Sequence, residues 1–574
     1  MKHDIFSHGI YGLLVNSAPN RVFISVALST LAGLLQVILI PLLVMSFDVD
    51  NSGGLVNITY KDNFEILGIS IRTPGFALFF FSMCFLILLL RSGSGRMMSE
   101  VVTRLVLEIK RDIYQKINGA PVQDVERIGF SSLLAVLTTD IEKIAIGTRA
   151  IPLVINYVVV LLGVIILLGI VNFKVMLFIL GCTLVGILCY QPFSIFGNRA
   201  FIQARHLINR IVESNKAIIL GSKELKLSEK KKKGFINELQ QMEEAHRKLQ
   251  LRGSTLFMVG AQFSGMMIML IIGIVAFALS NFYSLSSGAL ISIVMILLYL
   301  SEPLLGIVEC VSSIFPARIA LFSLMRNMRG LGVEIESQHD SMNHNKRLRQ
   351  IHLKNMSYCF GSGDEAEKGF SIGPINLCLN AGQVTFITGG NGSGKSTMGK
   401  VISLLYNKES GDIYFDGAPV TNDTIADFRK NIAAIFTDFY LFPRLYDVSA
   451  EQEQKIPEYL KELMLEEKVS ITNGELSTTN LSDGQRKRIA LLVSYLEDKD
   501  VYVFDEWAAD QDPQFKKVFY TNILSKLRAR GKIVVVITHD DRYFNLADQL
   551  VKMESGKIVS ILDQRQQLDC VNVA

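Results

Sequence analysis

The chain of 574 residues is long for one domain, and its length alone favours roughly three to four domain-sized hydrophobic cores. Hydrophobic residues make up 49%, charged residues only 20%, and the mean hydropathy is +0.33. A wholly water-soluble protein of this size rarely has such a composition, so long apolar segments are expected in the sequence. The formal net charge of +4 is too small to indicate a partner by itself.

Neither the cysteines nor the N-terminus indicates a special class of protein. The seven cysteines form no CxxC pair and have no histidine partner at metal-binding spacing, so we interpret them as structural or incidental. Residues 1–20 contain a mildly amphipathic stretch, Ile5 to Val15, for which an interfacial helix and an unstructured leader are equal alternatives. The first apolar run is too long for a cleaved signal peptide.

Six apolar segments follow, each about long enough to cross a hydrocarbon core that needs roughly 20 helical residues. They are Val22–Phe47, Pro74–Leu90, Ile151–Val171, Val175–Tyr190, Leu256–Leu279 and Ala289–Val308. Because their interiors carry few charges, buried helices of a soluble protein do not explain them. The sequence predicts an all-α transmembrane domain of six helices over residues 21–316.

The connections between these segments are unequal. The second and third segments, and the fourth and fifth, are separated by long, charged, helix-patterned stretches that are rich in Lys and Arg, whereas the other loops carry few. Lys and Arg bias a loop toward the cytosol, so both long stretches and both termini are predicted to be cytosolic. The Lys230–Lys233 run could bind acidic lipid or nucleic acid, but we interpret it as a solvated helical face.

The character of the chain changes after Pro316. Residues 317–348 have the pattern of a charged linker, and residues 349–574 alternate short strands with helices, which predicts a soluble α/β domain. In that domain a buried strand, Val384 to Thr388, runs directly into a glycine-rich loop and then a helix.

The glycine-rich loop matches the phosphate-binding pattern GxxxxGK[ST] in its required strand–loop–helix context. Glycines let backbone N–H groups turn toward phosphates, and the helix N-terminus favours an anion. Lys395 is predicted to reach the terminal phosphates of ATP and Ser396 to ligate Mg²⁺. The nucleotide-binding candidates here are Gly389, Asn391, Gly392, Ser393, Gly394, Lys395, Ser396 and Thr397.

Two adjacent carboxylates end another apolar strand, Val501 to Phe504. Asp505 is predicted to hold Mg²⁺, and Glu506 to polarise the water that attacks the γ-phosphate. A simple acidic turn is the alternative, but the phosphate-binding loop upstream favours catalysis.

The segment Leu481-Ser482-Asp483-Gly484-Gln485 opens a helix between these elements. In this order the motifs resemble those of ABC-type ATPases, with LSDGQ in place of the signature LSGGQ. The resemblance covers residues 349–565 and assigns roles to further residues. It implies that His539 contacts the γ-phosphate, that Asp512 is the D-loop aspartate, and that Phe360, or less probably Tyr358, stacks on adenine.

One motif departs from the family pattern. Where the family has the Q-loop glutamine, this sequence has Thr437, followed by Asp438. Both offer oxygen atoms, which suit Mg²⁺, so either residue can replace the glutamine as a metal ligand. The departure leaves open how the metal site is coupled to the transmembrane domain.

The resemblance also implies a mechanism. In the exporter architecture two ATPase domains meet head to tail, and Ser482, Gly484 and Gln485 of one chain cap the ATP of the other. This chain has one such domain, so a homodimer in the bacterial inner membrane is implied, with turns near residues 124–134 and 213–223 docking on the ATPase domain. No nucleic-acid partner is expected.

Several segments resemble the cyclic-peptide exporters of pyoverdine, syringomycin and microcin type, most specifically Asp505 to Pro513 with the single tryptophan, Trp507. The resemblance implies export of a peptide or siderophore-like cyclic product. A lipid or glycolipid flippase and an ATP-binding sensor or immunity protein are the alternatives, while six spans exclude a soluble DNA-repair ATPase.

Cargo is expected to bind the transmembrane domain, which has no recognisable motif. Gln36, Glu302 and Glu309 are candidates because a carboxylate at membrane depth is costly and usually faces a cavity or a partner. The alternative, which we favour from the sequence, places both glutamates beyond the hydrocarbon on a cytosolic helix extension. The methionines near residues 258–269 are interpreted as ordinary packing or lipid-facing residues.

Overall fold

A computed structural model describes residues 12, 18–46, 63–66, 69–72, 74–279, 287–332, 347–359, 370–446 and 448–564. Nearly all of the predicted amphipathic segment Ile5–Val15, and the predicted adenine-stacking residue Phe360, lie outside these ranges. The chain forms two compact units: residues 1–118 with 126–331, and residues 119–125 with 332–574.

The first unit is built from long helices. Its helices are α1 (Pro19–Ser46), α2 (Pro74–Asn118), the C-terminal end of α3 (Val122–Ile128), α4 (Phe130–Ala135), α5 (Ile141–Arg149), α6 (Ile151–Val171), α7 (Phe173–Leu220), α8 (Ser222–Leu227), α9 (Glu229–Ile274) and α10 (Ser287–Gly330). Residues 122–125 of α3 belong to the second unit. Single π-helical segments continue α4 (Val136–Asp140) and α9 (Val275–Leu279). A short antiparallel hairpin, β1 (Asn63–Ile66) and β2 (Ile69–Arg72), lies in the predicted polar loop after the first span.

Six helical stretches of this unit are long and apolar enough to cross a membrane. They are Pro19–Leu42, Ala77–Asn118, Phe130–Val171, Phe173–Leu220, Glu229–Leu279 and Leu290–Gly330. Most of each predicted apolar segment falls within one of them. The predicted tight hairpin between the third and fourth spans is also present, because extended Asn172 ends α6 and its side chain caps α7 by accepting from Lys174 N and Val175 N, both at 3.1 Å.

Small residues allow the apolar helices of this unit to approach closely. A Cβ atom added to Gly163 would lie 2.6 Å from a methyl carbon of Val37, so α6 and α1 meet at that glycine. Within a bilayer, such close backbone packing replaces the hydrophobic effect as the force that associates helices. Fully buried Val160, Val164 and Leu168 on α6 extend this contact into an apolar core.

The second unit contains two larger sheets and a short antiparallel pair of strands, Ile471–Thr472 with Glu475–Leu476. Its strands are β3 (Gln350–Cys359), β4 (Ser371–Asn380), β5 (Gln383–Gly389), β6 (Ser410–Phe415), β7 (Ala418–Pro419), β8 (Ile432–Ile435), β9 (Ile471–Thr472), β10 (Glu475–Leu476), β11 (Val501–Asp505), β12 (Ile533–Ile537), β13 (Gln549–Glu554) and β14 (Lys557–Asp563). The main sheet has the order β14-β13-β5-β12-β11-β8, in which only β14 pairs antiparallel. The smaller sheet is antiparallel, with the order β4-β3-β6-β7.

The helices of this unit are α11 (Lys395–Ile402), α12 (Ile425–Arg429), α13 (Ala450–Glu462), α14 (Asp483–Glu497), α15 (Pro513–Val518) and α16 (Leu524–Ala529), with a π-helical segment at Phe519–Ile523 and 3₁₀ turns at Trp507–Asp510 and Asp541–Leu546. Every residue of β11 and of β12 is buried. Continuous apolar strands of this kind are typical of a parallel sheet that is covered on both faces. The predicted fold class, six transmembrane helices followed by an α/β nucleotide-binding domain, is confirmed.

Candidate functional site

The phosphate-binding loop lies at the carboxyl end of β5, where the backbone needs glycine. Gly394, with φ of +96°, immediately precedes α11, and a Cβ atom there would lie 2.6 Å from a methyl carbon of Ile372. A side chain at this position would be both strained and obstructed. The loop therefore leads directly into the N-terminus of α11, where the partial positive charge of the helix attracts phosphate.

A cleft of about 480 Å³ opens at this loop. It is lined by Phe370, Asn391, Gly392, Gly394, Lys395, Ser396, Thr397 and Glu506. The side chain of Lys395 is tied to the loop, since its Nζ donates to the carbonyl oxygens of Gly389 at 3.0 Å and Gly390 at 2.9 Å. Burial lowers the pKa of Lys395, and the nearby negative charges of Glu506 and Asp505 oppose that shift. The cleft thus presents backbone donors and one cation to an anion.

Ser396 and Asp505 come together although they are far apart in sequence. The Ser396 hydroxyl donates to Asp505 Oδ1 at 3.1 Å. Asp505 is 1% exposed, and its burial raises the pKa of the carboxyl group; the hydrogen bond from Ser396 opposes this, and the charges of Glu506 and Asp438 add to it. A buried carboxylate among like charges gains from a bound cation. The two oxygens fit a hard divalent metal such as Mg²⁺.

Glu506 and His539 form a second contact at the same edge of the sheet. His539 Nε2 lies 3.1 Å from Glu506 Oε1, and both side chains are partly exposed. Their strands, β11 and β12, are parallel neighbours, so the residues that follow them meet at one edge. Glu506 has a left-handed backbone, with φ of +46°, a conformation that is uncommon outside glycine and that concentrates at functional sites. Its carboxylate lines the phosphate cleft.

The signature segment forms the start of α14. Ser482 is the N-cap, and a capping box joins its side chain to Gln485: Gln485 N donates to Ser482 Oγ at 3.3 Å, and Ser482 N donates to Gln485 Oε1 at 3.1 Å. A Cβ atom at Gly484 would lie 2.6 Å from Asp510 O. The glycine therefore lets the Trp507–Asp510 turn pack directly against the helix.

Several polar contacts hold the signature helix to the segment that follows β11. Lys487 is 3% exposed, and its Nζ donates to Glu506 O at 3.1 Å and pairs with the Asp510 carboxylate at 2.6 Å. Trp507 Nε1 donates to Lys487 O at 3.1 Å, and the indole stacks on Phe519. The sequence analysis missed Lys487, although a lysine inside the signature helix beside an acidic turn was the available signal.

A second set of hydrogen bonds and an ion pair joins the signature helix to the residues just before α15. Arg488 donates through Nε to Gln511 Oε1 at 2.8 Å, pairs with Asp512, and lies over the Phe515 ring. Gln511 Nε2 in turn donates to Gly484 O at 3.0 Å. Asp512 is also the N-cap of α15, which lowers the pKa of its carboxyl group chiefly through the hydrogen bond from Phe515 N. The D-loop is thus fixed to the signature helix of its own chain.

Thr437 and Asp438 follow β8, and both are exposed. β8 is the neighbour of β11, so the two residues lie at the same edge of the sheet as Asp505. The charge of Asp438 acts on the Asp505 carboxyl group. The structure therefore brings the departing Q-loop residues toward the predicted metal position.

The predicted aromatic residues have different positions. Tyr358 is 7% exposed and stacks on Tyr406 with ring centroids 5.0 Å apart, so it belongs to the core and is not free to stack on a base. The alternative assignment of adenine stacking to Tyr358 is therefore disfavoured by its burial. Phe370, which the sequence analysis did not select, is half-exposed and lines the phosphate cleft. It gives that cleft one apolar wall.

The site and the helices together define a class of protein. A phosphate-binding loop, a buried carboxylate beside the Ser396 hydroxyl, and a partly exposed glutamate with a histidine neighbour are the components of a P-loop ATPase. Six membrane-spanning helices in the same chain make it a membrane transporter driven by ATP.

Comparison with known proteins names the family. The model of the ABC transporter transmembrane region matches residues 21–304, and the ABC transporter model matches residues 372–509. The chain is 32% identical over 489 residues to the ATP-binding protein SyrD of Pseudomonas syringae pv. syringae, covering 82% of this chain and 86% of SyrD. The chain belongs to the ABC transporter family.

Two further similarities are more limited. The probable syringafactin export ATP-binding/permease protein SyfD of Pseudomonas syringae pv. syringae strain B728a is 30% identical over 212 residues, 34% of this chain and 32% of SyfD. A bacterial Atm1-family ABC exporter solved with ATP bound superimposes with a TM-score of 0.73 at 14% identity, covering 96% of both chains. The exporter fold, the ATP-hydrolysing class and the multi-pass membrane location with a cytosolic ATPase domain are confirmed.

Proposed function

We propose that this protein exports a peptide or siderophore-like cyclic product across the bacterial inner membrane, and that a homodimer does so by alternating access. The observation that carries the proposal is the convergence of Lys395, Ser396, Asp505, Glu506 and His539 at one edge of the β5-β12-β11 sheet in a chain with six spans. For the cargo class, support comes from the similarity to SyfD, whose name describes syringafactin export.

Each predicted ATP-binding and catalytic residue receives a role in this proposal. The loop glycines and Asn391, Ser393 and Thr397 surround the phosphates, and Lys395 neutralises them. Glu506 accepts a proton from the attacking water, and His539 contacts the γ-phosphate and orients the carboxylate. Ser396 and Asp505 would hold Mg²⁺, which supplies charge neutralisation, and Thr437 and Asp438 complete its surroundings.

The homodimer follows from the proposal that each ATP lies between two chains. Each chain carries one phosphate-binding loop and one signature segment. The signature residues Ser482, Gly484 and Gln485 sit at the N-terminus of the 15-residue helix α14, a position that favours the phosphates of a facing ATP. Asp512, fixed to that helix through Arg488, would lie at the same interface.

Export then depends on differential binding. ATP favours the closed pair of ATPase domains, and hydrolysis removes that preference. Since a ligand shifts an equilibrium only by its differential affinity for the two states, the transmembrane helices must have two stable arrangements that the closed and open ATPase pairs select.

The test uses the purified full-length protein in sealed vesicles. We expect a cyclic lipopeptide to stimulate ATP hydrolysis and to accumulate inside vesicles whose ATPase domains face outward. Transbilayer movement of a fluorescent phospholipid without peptide transport would favour the flippase. ATP binding with no hydrolysis would favour the sensor. Either result would overturn peptide export.

A further inference from the structure

A polar network joins three of the membrane-spanning helices. Arg91 of α2 donates through Nη2 to Gln36 Oε1 of α1 at 2.8 Å and to Asn156 Oδ1 of α6 at 3.0 Å. Asn156 Nδ2 also donates to Ser29 O at 2.8 Å. Gln36 and Asn156 are buried, with 9% and 2% exposure. Among the residues that the structure describes, Arg91 has neutral amides as hydrogen-bond partners and no carboxylate within ion-pair distance.

Two glutamates lie on the neighbouring span α10. Glu302 and Glu309 are seven residues apart, which places them on one face of the helix, and both are exposed. At a rise of about 1.5 Å per residue they lie about 18 Å and 28 Å from Leu290, where the apolar span begins. A hydrocarbon core is about 30 Å thick, so both carboxylates are at membrane depth. A bilayer that begins at Leu290 would contain both glutamates, in contrast to the alternative that places them on a cytosolic helix extension.

An aromatic ring contacts α10 at a position between the two glutamates in the sequence. A Cβ atom added to Gly306 would be 2.4 Å from ring carbons of Tyr157, so the ring of this α6 residue rests on the surface of α10 at that glycine. Tyr157 interacts electrostatically with Glu302, Glu309 and Arg91. Gly306 is therefore the position that lets the ring reach the helix face of the two glutamates.

Tyr299 connects this face to the network of Arg91. It lies one turn before Glu302 on α10, and the charges of Glu302 and Arg91 act on it, while its buried hydroxyl has no hydrogen-bond partner among the described residues. The polar residues of four spans, α1, α2, α6 and α10, thus form one cluster. Gln36, Glu302 and Glu309, which the sequence analysis singled out separately, belong to it together.

The cluster has more negative than positive charge. Arg91 contributes one positive charge, and Glu302 and Glu309 contribute two negative ones. In the described part of the chain neither glutamate has a basic partner within ion-pair distance. Charged groups that face lipid are costly, so a face with two exposed carboxylates fits the wall of an aqueous cavity better than a lipid-facing surface.

We propose that Glu302, Glu309 and the Tyr157 ring form a cation-binding subsite for cargo that carries an amine or guanidinium group. A cation at this place gains a charge-assisted hydrogen bond to a carboxylate and an attraction to the aromatic face. Arg91 is partly buried and donates to the amide oxygens of Gln36 and Asn156, and it has no carboxylate within ion-pair distance among the described residues. The inference rests on the proposed export function and adds to it the chemical class of the cargo.

The experiment compares two forms of one probe on the full-length protein in vesicles. The probe is a cyclic lipopeptide with free lysine amines, and its partner is the same peptide with the amines acetylated. For the wild-type protein we expect the amine form to stimulate ATP hydrolysis at a half-saturating concentration about tenfold lower than that of the acetylated form. In E302Q/E309Q this preference should disappear, and in E302D/E309D it should return.

A matched control uses Glu243, an exposed glutamate of α9 outside the cluster. E243Q should keep the basal activity and the preference for the amine form. A wild-type preference that persists in E302Q/E309Q, or equal stimulation by both peptide forms, would overturn the cation subsite while leaving peptide export standing. If neither peptide stimulates hydrolysis or is transported by the wild-type protein, the export proposal fails, and the subsite fails with it.

Discussion

The ammonium group of Lys487 lies 2.6 Å from the carboxylate of Asp510, and the lysine is 3% exposed. The same ammonium donates to the main-chain carbonyl of Glu506. Through one buried cation, the helix that begins with the signature segment is thereby tied to the backbone of the glutamate that lines the phosphate cleft. Movement of that helix must move the Glu506 backbone or break the contact.

We expect K487M to lower the kcat of ATP hydrolysis about tenfold, with little change in the KM for ATP. The loss corresponds to one charge-assisted hydrogen bond of about 1.5 kcal/mol that positions Glu506, whereas no ATP contact is removed. Steady-state kinetics in nanodiscs provides the measurement. K517M, at an exposed lysine of α15, is the control and should behave as the wild-type protein. A K487M enzyme with wild-type kcat would show that Lys487 does not position Glu506.

We expect E506Q to bind ATP and to hydrolyse it about 10² to 10⁴ times more slowly, because an amide cannot accept the proton of the attacking water. The partner residue His539 stays in place, since the isosteric amide keeps a hydrogen-bonding oxygen near Nε2. Retained radiolabelled ATP after rapid gel filtration measures the trapping. In cells the same change should stop release of the exported metabolite.

Two results would count against this role of Glu506. Turnover of E506Q at the wild-type rate would remove the glutamate from catalysis. Trapping of ATP by particles whose mass is that of one chain would contradict the homodimer. E554Q, at an exposed glutamate on β13, is the matched control and should neither trap ATP nor slow its hydrolysis.

The departure at the Q-loop gives a prediction about metal affinity. D438N should raise the Mg²⁺ concentration needed for half-maximal hydrolysis about tenfold, as expected for loss of a carboxylate that surrounds a metal without being its principal ligand. Removal of all Mg²⁺ with EDTA should abolish hydrolysis in both proteins. D541N, at an exposed aspartate after β12, should leave the Mg²⁺ requirement unchanged. If D438N needed the same Mg²⁺ concentration as the wild-type protein, Asp438 would not contribute to the metal site.

A buried ion pair in the first unit gives a prediction about stability. Asp140 is fully buried, and its carboxylate pairs with Arg205 Nη2 at 2.5 Å, joining the π-helical segment Val136–Asp140 to α7. R205M should destabilise this unit by about 3–5 kcal/mol, because it leaves a buried carboxylate without its cation. The thermal midpoint for loss of monodisperse protein in detergent measures the effect.

A double variant tests whether loss of the ion pair or the remaining unpaired charge lowers the stability of R205M. D140L/R205M removes both charges and should recover most of the lost midpoint. R247M removes the arginine of an exposed pair with Glu244 and should produce no measurable shift. Equal loss in R205M and in the double variant would show that the salt bridge itself, and not the orphaned carboxylate, governs stability.

The motifs of the ATPase domain could be predicted from the sequence because each is local. The loop from Gly389 to Thr397 needs only a strand before it and a helix after it, and Asp505 and Glu506 need only to end an apolar strand. The membrane-spanning segments could also be predicted from the sequence, because about 20 apolar residues suffice to cross a bilayer. Parallel strands then bring their carboxyl ends to one edge, which places Glu506 beside His539.

Other features required the tertiary structure, because they depend on which residues are buried and on which helices are neighbours. Tyr358 and Phe370 are both aromatic residues close to the small sheet. Tyr358 packs on Tyr406 and so does not reach the phosphate cleft, whereas Phe370 lines that cleft. Lys487 reads as a surface residue of an amphipathic helix until Asp510 is seen beside it. No local pattern distinguishes the buried ring of Tyr358 from the half-exposed ring of Phe370.

The sequence by itself therefore determined the class of protein and its membrane-spanning segments, and it predicted the residues that we propose bind ATP, since short-range periodicity and contiguous motifs encode them. Only the tertiary structure decided that Arg91, Tyr157, Glu302 and Glu309 share one place within the membrane. The physical reason is that helix contacts in a bilayer depend on small residues such as Gly306, whose importance appears only when the neighbouring side chain is known.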